Sequence, residues 1–212
     1  MSEPRALIFF HSPNTRSSGV RMLLAELQAE HQMRVVNMKR GEQREAAFLA
    51  VNPMGKVPAI LHGDALVTEQ AAIYQYLAEL FPAAGLAPPI GDPLRGPFLR
   101  WLAYYGSSFE PAVVDHALKR SPAPPAMCPW GDYDTMVKTF VDQLARGPYF
   151  LGERFSAVDV LWGAALTWML SFKLLPERPV IQAYVDRFNQ RPAVVRVKQL
   201  EAELAASLPD KD

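Results

Sequence analysis

The run Ala6-Leu-Ile-Phe-Phe10 is apolar throughout, as a buried strand is. Val20, Leu23, Leu24 and Leu27 then recur at helical spacing, and Arg34-Val-Val-Asn37 reads as a second short strand. A polar helical patch ends near Leu49. Ala59-Ile-Leu-His62 and Ala65-Leu-Val-Thr68 flank Gly63-Asp64, the two-residue signal of a tight hairpin. Ile73, Tyr76, Leu77 and Leu80 mark one more amphipathic helix. The order is strand, helix, strand, helix, hairpin, helix. A right-handed βαβ unit has parallel strands, whereas a two-residue turn forces an antiparallel pair. A mixed four-stranded sheet with helices on its faces follows.

Beyond Phe81 the pattern changes. Pro82, Pro88, Pro89 and Pro93 lie in a stretch rich in Ala and Gly, the composition of a linker. Every apolar stripe after it is helical. Leu94, Phe98, Trp101, Leu102 and Tyr105 form the first, and Val137, Phe140, Val141 and Leu144 the second. Residues 157–170 are apolar nearly all round, which predicts the central helix of this part. Ile181, Tyr184, Val185 and Phe188 predict another helix, and Val197, Leu200 and Leu204 the last. Residues 121–132 hold Pro122, Pro124, Pro125 and Pro129, so no helix is expected there. The expected organisation is an α/β domain over 1–82, a linker over 83–93 and an all-helical domain over 94–212.

Composition narrows the chemistry. The chain has 212 residues, with 22 basic and 22 acidic side chains that cancel. A neutral chain without a basic run lacks the charge that holds nucleic acid. The greasiest segment, Val160 to Leu170, is too short for a membrane span, and the first residues do not read as a signal peptide. The single cysteine, Cys128, rules out an internal disulfide and a cysteine-based zinc site. The four histidines, His11, His31, His62 and His116, show no metal-ligand spacing and read as structural or surface residues. A cytoplasmic protein without a metal is expected.

Three stretches carry a resemblance. Asn52-Pro-Met-Gly-Lys-Val-Pro-Ala-Ile60, Thr68-Glu-Gln-Ala-Ala-Ile73 and Phe155-Ser-Ala-Val-Asp159 resemble successive signatures of the cytosolic glutathione S-transferase family, in its order and at its separations. The resemblance implies a thioredoxin-like first domain and an all-helical second. It also implies a cis Val57-Pro58 bond, with the Val57 N–H and C=O offered to the cysteinyl part of glutathione as an added strand would be. Lys56 is then placed for the glycine carboxylate. Where the hairpin feeds the next helix, free N–H groups attract an anion. Gln70, where the family usually has serine, is the expected donor to the γ-glutamyl carboxylate, and Glu69 the acceptor of its ammonium group. Ser156 and Asp159 read as a capping box that starts the central helix, a structural role.

In this family the glutathione thiol is held as thiolate. A free thiol titrates near about 8.5, so donors or a helix N-terminus must favour the anion. They are expected between the first strand and first helix, in His11-Ser-Pro-Asn-Thr-Arg-Ser-Ser-Gly19. No tyrosine precedes Tyr74 and no cysteine lies here. Counting back from Val20-Arg21 puts Asn14 or Thr15 at the donor position, and counting forward from the strand favours Ser12. Ser17 and Ser18 are further candidates, or helix caps. The resemblance places the acceptor pocket on the first helix of the second domain, at Tyr104, Tyr105, Ser108 and Phe109. It implies a homodimer that conjugates glutathione to a small electrophile. Glutathione-dependent reduction of disulfides or peroxides, or binding without turnover, remain alternatives on the same fold.

Overall fold

The computed structural model describes residues 6–121 and 123–209; Pro122 of the proline cluster and the first five residues lie outside them. Strand β1 (Leu7–His11) runs parallel to β2 (Gln32–Val35) and antiparallel to β3 (Ala59–His62), which pairs antiparallel with β4 (Ala65–Val67). The sheet order is therefore β2-β1-β3-β4. Phe9 faces Met33 on one side and Ile60 on the other, so β1 lies inside the sheet and is buried along most of its length. Gly63 and Asp64 join β3 to β4, as the hairpin signal predicts. Strand β2 sits two residues earlier than expected. It is an edge strand with Gln32, Met33 and Arg34 exposed, so burial does not pattern it.

Helix α1 (Ser17–Glu26) returns from β1, a short α2 (Ala46–Leu49) follows β2, and α3 (Gln70–Leu80) follows the hairpin. The polar patch ahead of Leu49 is only a 3-10 turn, Glu42–Arg44, and the single turn of α2. A 3-10 turn at Pro82–Ala84 leads into irregular chain as far as α4 (Arg95–Tyr104). A π turn over Tyr105–Phe109 then carries α4 into α5 (Glu110–Ala117). The segment between α5 and α6 (Tyr133–Leu144) holds a 3-10 turn, Pro125–Met127. Helices α7 (Ala157–Ser171), α8 (Pro179–Asn189) and α9 (Pro192–Ser207) complete the second domain. The architecture is a thioredoxin-like α/β domain followed by an all-helical one.

α7 is the axle of the helical domain. Ser156 and Asp159 form the capping box at its head, and the Asp159 carboxylate also accepts from Phe150 N–H at 2.9 Å and Tyr184 OH at 3.1 Å. Burial pushes the Asp159 carboxyl up to about 6, against the pull of those hydrogen bonds. Trp162 is fully buried among Trp101, Phe109, Phe140 and Phe150, and its indole N–H donates to Trp101 C=O at 3.0 Å. Gly163 lets α8 approach, since a Cβ there would lie 2.3 Å from the Phe188 ring.

The domains meet through α1, which packs on α7 and α9 as well as on β1 and α3. At its end Glu26 receives two bonds from the Arg191 guanidinium, at 2.6 and 2.8 Å. Among the described residues, no helix is long and apolar enough to cross a membrane.

Candidate interdomain active site

The turn from β1 into α1 is held from inside by Ser17. Its buried hydroxyl lies 2.8 Å from His11 Nδ1, accepts from Ser12 N–H at 3.1 Å, and donates to Ser12 C=O at 2.9 Å. Thr15 Oγ1 stands 2.7 Å from Ser17 Oγ and 2.7 Å from Ser12 C=O. Asn14 takes a left-handed backbone, φ 58°, which asparagine tolerates better than most side chains. It is exposed, and no hydrogen bond of its side chain to another described residue is found.

His11 is wholly buried between the two domains. Its Nε2 lies 2.9 Å from Glu201 Oε1 of α9, close in distance but not aligned as a hydrogen bond. Arg21 approaches the same oxygen at 2.7 Å, and Ser18 Oγ donates to the other one. Burial alone would raise the Glu201 carboxyl. His11, Ser18 and Arg21 outweigh it and bring the group down to about 2. The sequence carries no sign of this partnership, because its members come from opposite ends of the chain.

The Val57-Pro58 bond is cis. Asn52 Nδ2 donates to Lys56 C=O at 2.8 Å and fixes the preceding turn. The N–H and C=O of Val57 find no partner among the described residues, although the side chain is buried. At the head of α3, Glu69 has φ 63°, a strained conformation for a residue with a side chain, and is exposed. It makes no capping bond, so the first N–H groups of α3 stay open.

These features border one open interdomain cavity of about 500 Å³. Asn14, Thr15, Lys56, Val57 and Gln70 line it from the first domain. Ser12 and Ser17 lie behind the lining, and Glu69 stands outside it. The opposite wall differs from expectation. Of Tyr104, Tyr105, Ser108 and Phe109, only Tyr105 reaches the cavity. Phe109 is buried against Trp162 and Phe140, and Tyr104 turns toward α6, its hydroxyl 3.4 Å from Met136 C=O. The π turn rotates these residues by an extra position and aims only Tyr105 at the gap. Its hydroxyl donates to Glu110 Oε1 at 2.9 Å, with Gln70 Oε1 at 3.4 Å. Glu110 also accepts from Arg16 Nε.

The apolar wall comes from α7, through Leu161, Ala164, Ala165 and Trp168. Trp168 is partly exposed, with the Arg16 guanidinium 6.0 Å from its ring centre. A helix that is apolar all round reads as core, so its sequence does not announce which side chains face a cavity. Cys128 lies away from the site, in the α5–α6 segment, where Sγ is 3.1 Å from Gly131 C=O. Among the described residues no three His, Cys, Asp or Glu side chains gather as metal ligands.

Comparison with known proteins agrees with this architecture. Residues 14–80 match the model of the glutathione S-transferase N-terminal domain, and residues 133–192 that of the C-terminal domain. The structure of a glutathione transferase from Methylococcus capsulatus is 30% identical, with a TM-score of 0.77 over 93% of this chain and 100% of that one. A sphingomonad glutathione S-transferase complexed with glutathione is also 30% identical, with a TM-score of 0.74 over 92% and 98%. The Escherichia coli O157:H7 glutathione S-transferase GstA is 29% identical, over 87% of this chain and 94% of its own. With a two-domain fold, a cis-proline turn facing an open helix head, and these matches over nearly its whole length, the chain belongs to the glutathione S-transferase family.

Proposed function

We propose that the interdomain cavity holds glutathione as its thiolate and presents it to a small electrophile against α7. The observation that carries this reading is the convergence on one cavity of an unpaired Val57 backbone, the open head of α3, and the Asn14-Thr15 turn. Val57 pairs with the cysteinyl backbone as an added strand does. Gln70 and the α3 N–H groups take the γ-glutamyl carboxylate, Glu69 its ammonium group, and Lys56 the glycine carboxylate. The Asn14 amide and the Thr15 hydroxyl face the sulfur. Lowering a thiol pKa by about two units takes roughly 2.7 kcal/mol of preference for the anion, a magnitude that two donors and a helix N-terminus supply. The electrophile sits on Leu161, Ala164 and Trp168.

The protein acts as a homodimer in the cytoplasm, with residues 1–82 as its glutathione-binding domain and 94–212 as its helical domain. Glutathione is a co-substrate and no metal takes part. The test is calorimetric binding of glutathione, followed by turnover with halides, epoxides, disulfides and hydroperoxides. Binding with conjugation supports the reading. Absence of binding overturns it, and turnover of disulfides or peroxides alone replaces conjugation by reduction.

A further inference from the structure

Behind the cavity wall a row of closely spaced polar atoms runs from the proposed sulfur position to the domain interface. Thr15 lines the cavity, and its Oγ1 lies 2.7 Å from Ser17 Oγ. Ser17 Oγ is 2.8 Å from His11 Nδ1, and His11 Nε2 is 2.9 Å from Glu201 Oε1. His11 and Ser17 have no exposed surface at all. A carboxylate, an imidazole and a hydroxyl in such a row form a path along which a proton can shift by one hydrogen bond at each member. Capping the turn requires only Ser17 and explains neither the buried imidazole nor the buried carboxylate behind it.

We propose that His11 receives the glutathione thiol proton through Thr15 and Ser17, and that Glu201 stabilises the imidazolium so formed. The proposal rests on the reading that glutathione occupies the cavity with its sulfur beside Thr15. Before transfer, His11 carries its proton on Nε2, toward Glu201. For transfer the Ser17 O–H turns from Ser12 C=O to His11 Nδ1, 2.8 Å away, and the Thr15 O–H turns from the same carbonyl to Ser17 Oγ, 2.7 Å away. The thiol proton passes to Thr15 Oγ1, the Thr15 proton to Ser17 Oγ, and the Ser17 proton to Nδ1. One S–H bond breaks and one N–H bond forms, and the two hydroxyls each lose and gain a proton. The products are a thiolate and an imidazolium, so net charge is conserved.

The transfer reverses the hydrogen bonds from His11 Nδ1 through Ser17 and Thr15 to the sulfur, and leaves the Nε2 proton toward Glu201. Nδ1–H donates to Ser17 Oγ, Ser17 to Thr15 Oγ1, and Thr15 now donates to the thiolate. Before transfer Thr15 has no proton to offer the cavity; afterwards it has one. His11, Ser17 and Glu201 never touch the sulfur and act only through Thr15. The charged groups beside the imidazole are Glu201 from α9 and Arg21 from α1, with the Phe9 ring of β1 on a further side. Arg21 shares Glu201 with His11, so the carboxylate stays ionised in both states.

The proposal is tested on the full-length wild-type protein by three measurements on one set of samples. Absorbance near 240 nm counts thiolate formed when glutathione binds at pH 7. Calorimetry in buffers of different ionisation enthalpy counts protons released, and nitrogen-15 NMR reads the protonation of the His11 ring. S-methylglutathione, which has no thiol proton, is the reference ligand. The expected result is about one thiolate per site, fewer protons released than thiolates formed, and an imidazolium signature at His11 that S-methylglutathione does not produce. Thr15→Val should abolish the His11 response while Thr15→Ser restores it. Release of one proton per thiolate with an unchanged His11 ring overturns the proposal and leaves the glutathione site standing. Glutathione that binds without forming thiolate also overturns it, and failure to bind glutathione at all removes the underlying reading instead.

Discussion

Gly163 of α7 and Phe188 of α8 meet so closely that a Cβ on the glycine would lie 2.3 Å from the ring. The ring is buried, and it also borders the interdomain cavity. Gly163→Ala should therefore displace either the helix or the ring. Overpacking of this kind costs about 1–3 kcal/mol, which urea denaturation would read as a lower midpoint with an unchanged slope. An unaltered midpoint would show that α7 and α8 separate more easily than their packing implies.

Glu69 is exposed, strained and without a capping bond, so its conservative loss should hardly change folding. In the proposed site it balances the glutathione ammonium group. Glu69→Ala should weaken glutathione binding by about 1–3 kcal/mol, the usual cost of leaving a charged partner unpaired. Lys56→Ala should cost less, about 0.2–1 kcal/mol, since an exposed pair is screened by water. Calorimetry that finds the two variants equal to wild type would displace the ligand from this end of the cavity.

Asn14 and Ser17 differ in how much of the turn each supports. Ser17→Ala removes the buried hydroxyl that holds Ser12 and should lower stability by about 0.5–2 kcal/mol, in the range of a lost helix cap. Asn14→Ala should lower stability by about 1 kcal/mol, because alanine tolerates the left-handed backbone less well, and should raise the thiol pKa of bound glutathione, followed by absorbance near 240 nm. If Asn14→Ala leaves that pKa where it was, the amide is not a sulfur contact.

Two buried carboxyls give stability opposite dependences on pH. Glu201 titrates at about 2 in the fold against 4.5 in the open chain. Its contribution is complete above pH 4.5 and is lost as pH falls toward about 2. Asp159 titrates at about 6 against 3.8, so its contribution is present below 3.8 and fades as pH rises to about 6. Glu201→Gln should flatten the acid limb alone and Asp159→Asn the limb above it. Denaturation at a series of pH values checks both slopes, and coincident profiles for the variants and wild type would exclude the two groups.

The proposed dimer has apolar surface available at Leu66 beside the hairpin, Ile90 before α4 and Leu99 on α4, all exposed in the single chain. Sedimentation at micromolar concentration should give twice the chain mass of 23.6 kDa. Leu99→Glu should shift the equilibrium toward monomer if α4 forms part of the contact. A wild-type chain that sediments at the single-chain mass would remove the dimer from the proposal.

What the sequence makes legible here is local. The Gly63-Asp64 hairpin, the α7 capping box and the Val57-Pro58 turn depend on residues a few positions apart, so pattern and resemblance reach them. Strand β2 is misplaced by two residues because an edge strand with exposed side chains has no buried face to mark its register. The π turn that separates Tyr105 from Phe109 differs from an α-helix by one extra residue, which apolar spacing cannot resolve. His11 reads as one more scattered histidine until α9 folds back and sets Glu201 beside it. The α7 wall of the cavity escapes for a related reason. Whether Ala164 meets a neighbour or a gap is decided by how α1 and α9 lean on α7.

Because α1 is wedged between its own sheet and helices α7 and α9, the proline-rich connection does not mark a line of energetic cleavage. Cutting the chain there would strip the helical half from α1 and leave Glu26 without Arg191. A fragment ending at the linker would expose apolar helix faces and tend to aggregate rather than report on half of the protein. For the same reason heat should melt both halves in a single calorimetric peak. Anyone grafting the helical half of a relative onto this chain would have to carry the matching face of α1 along with it.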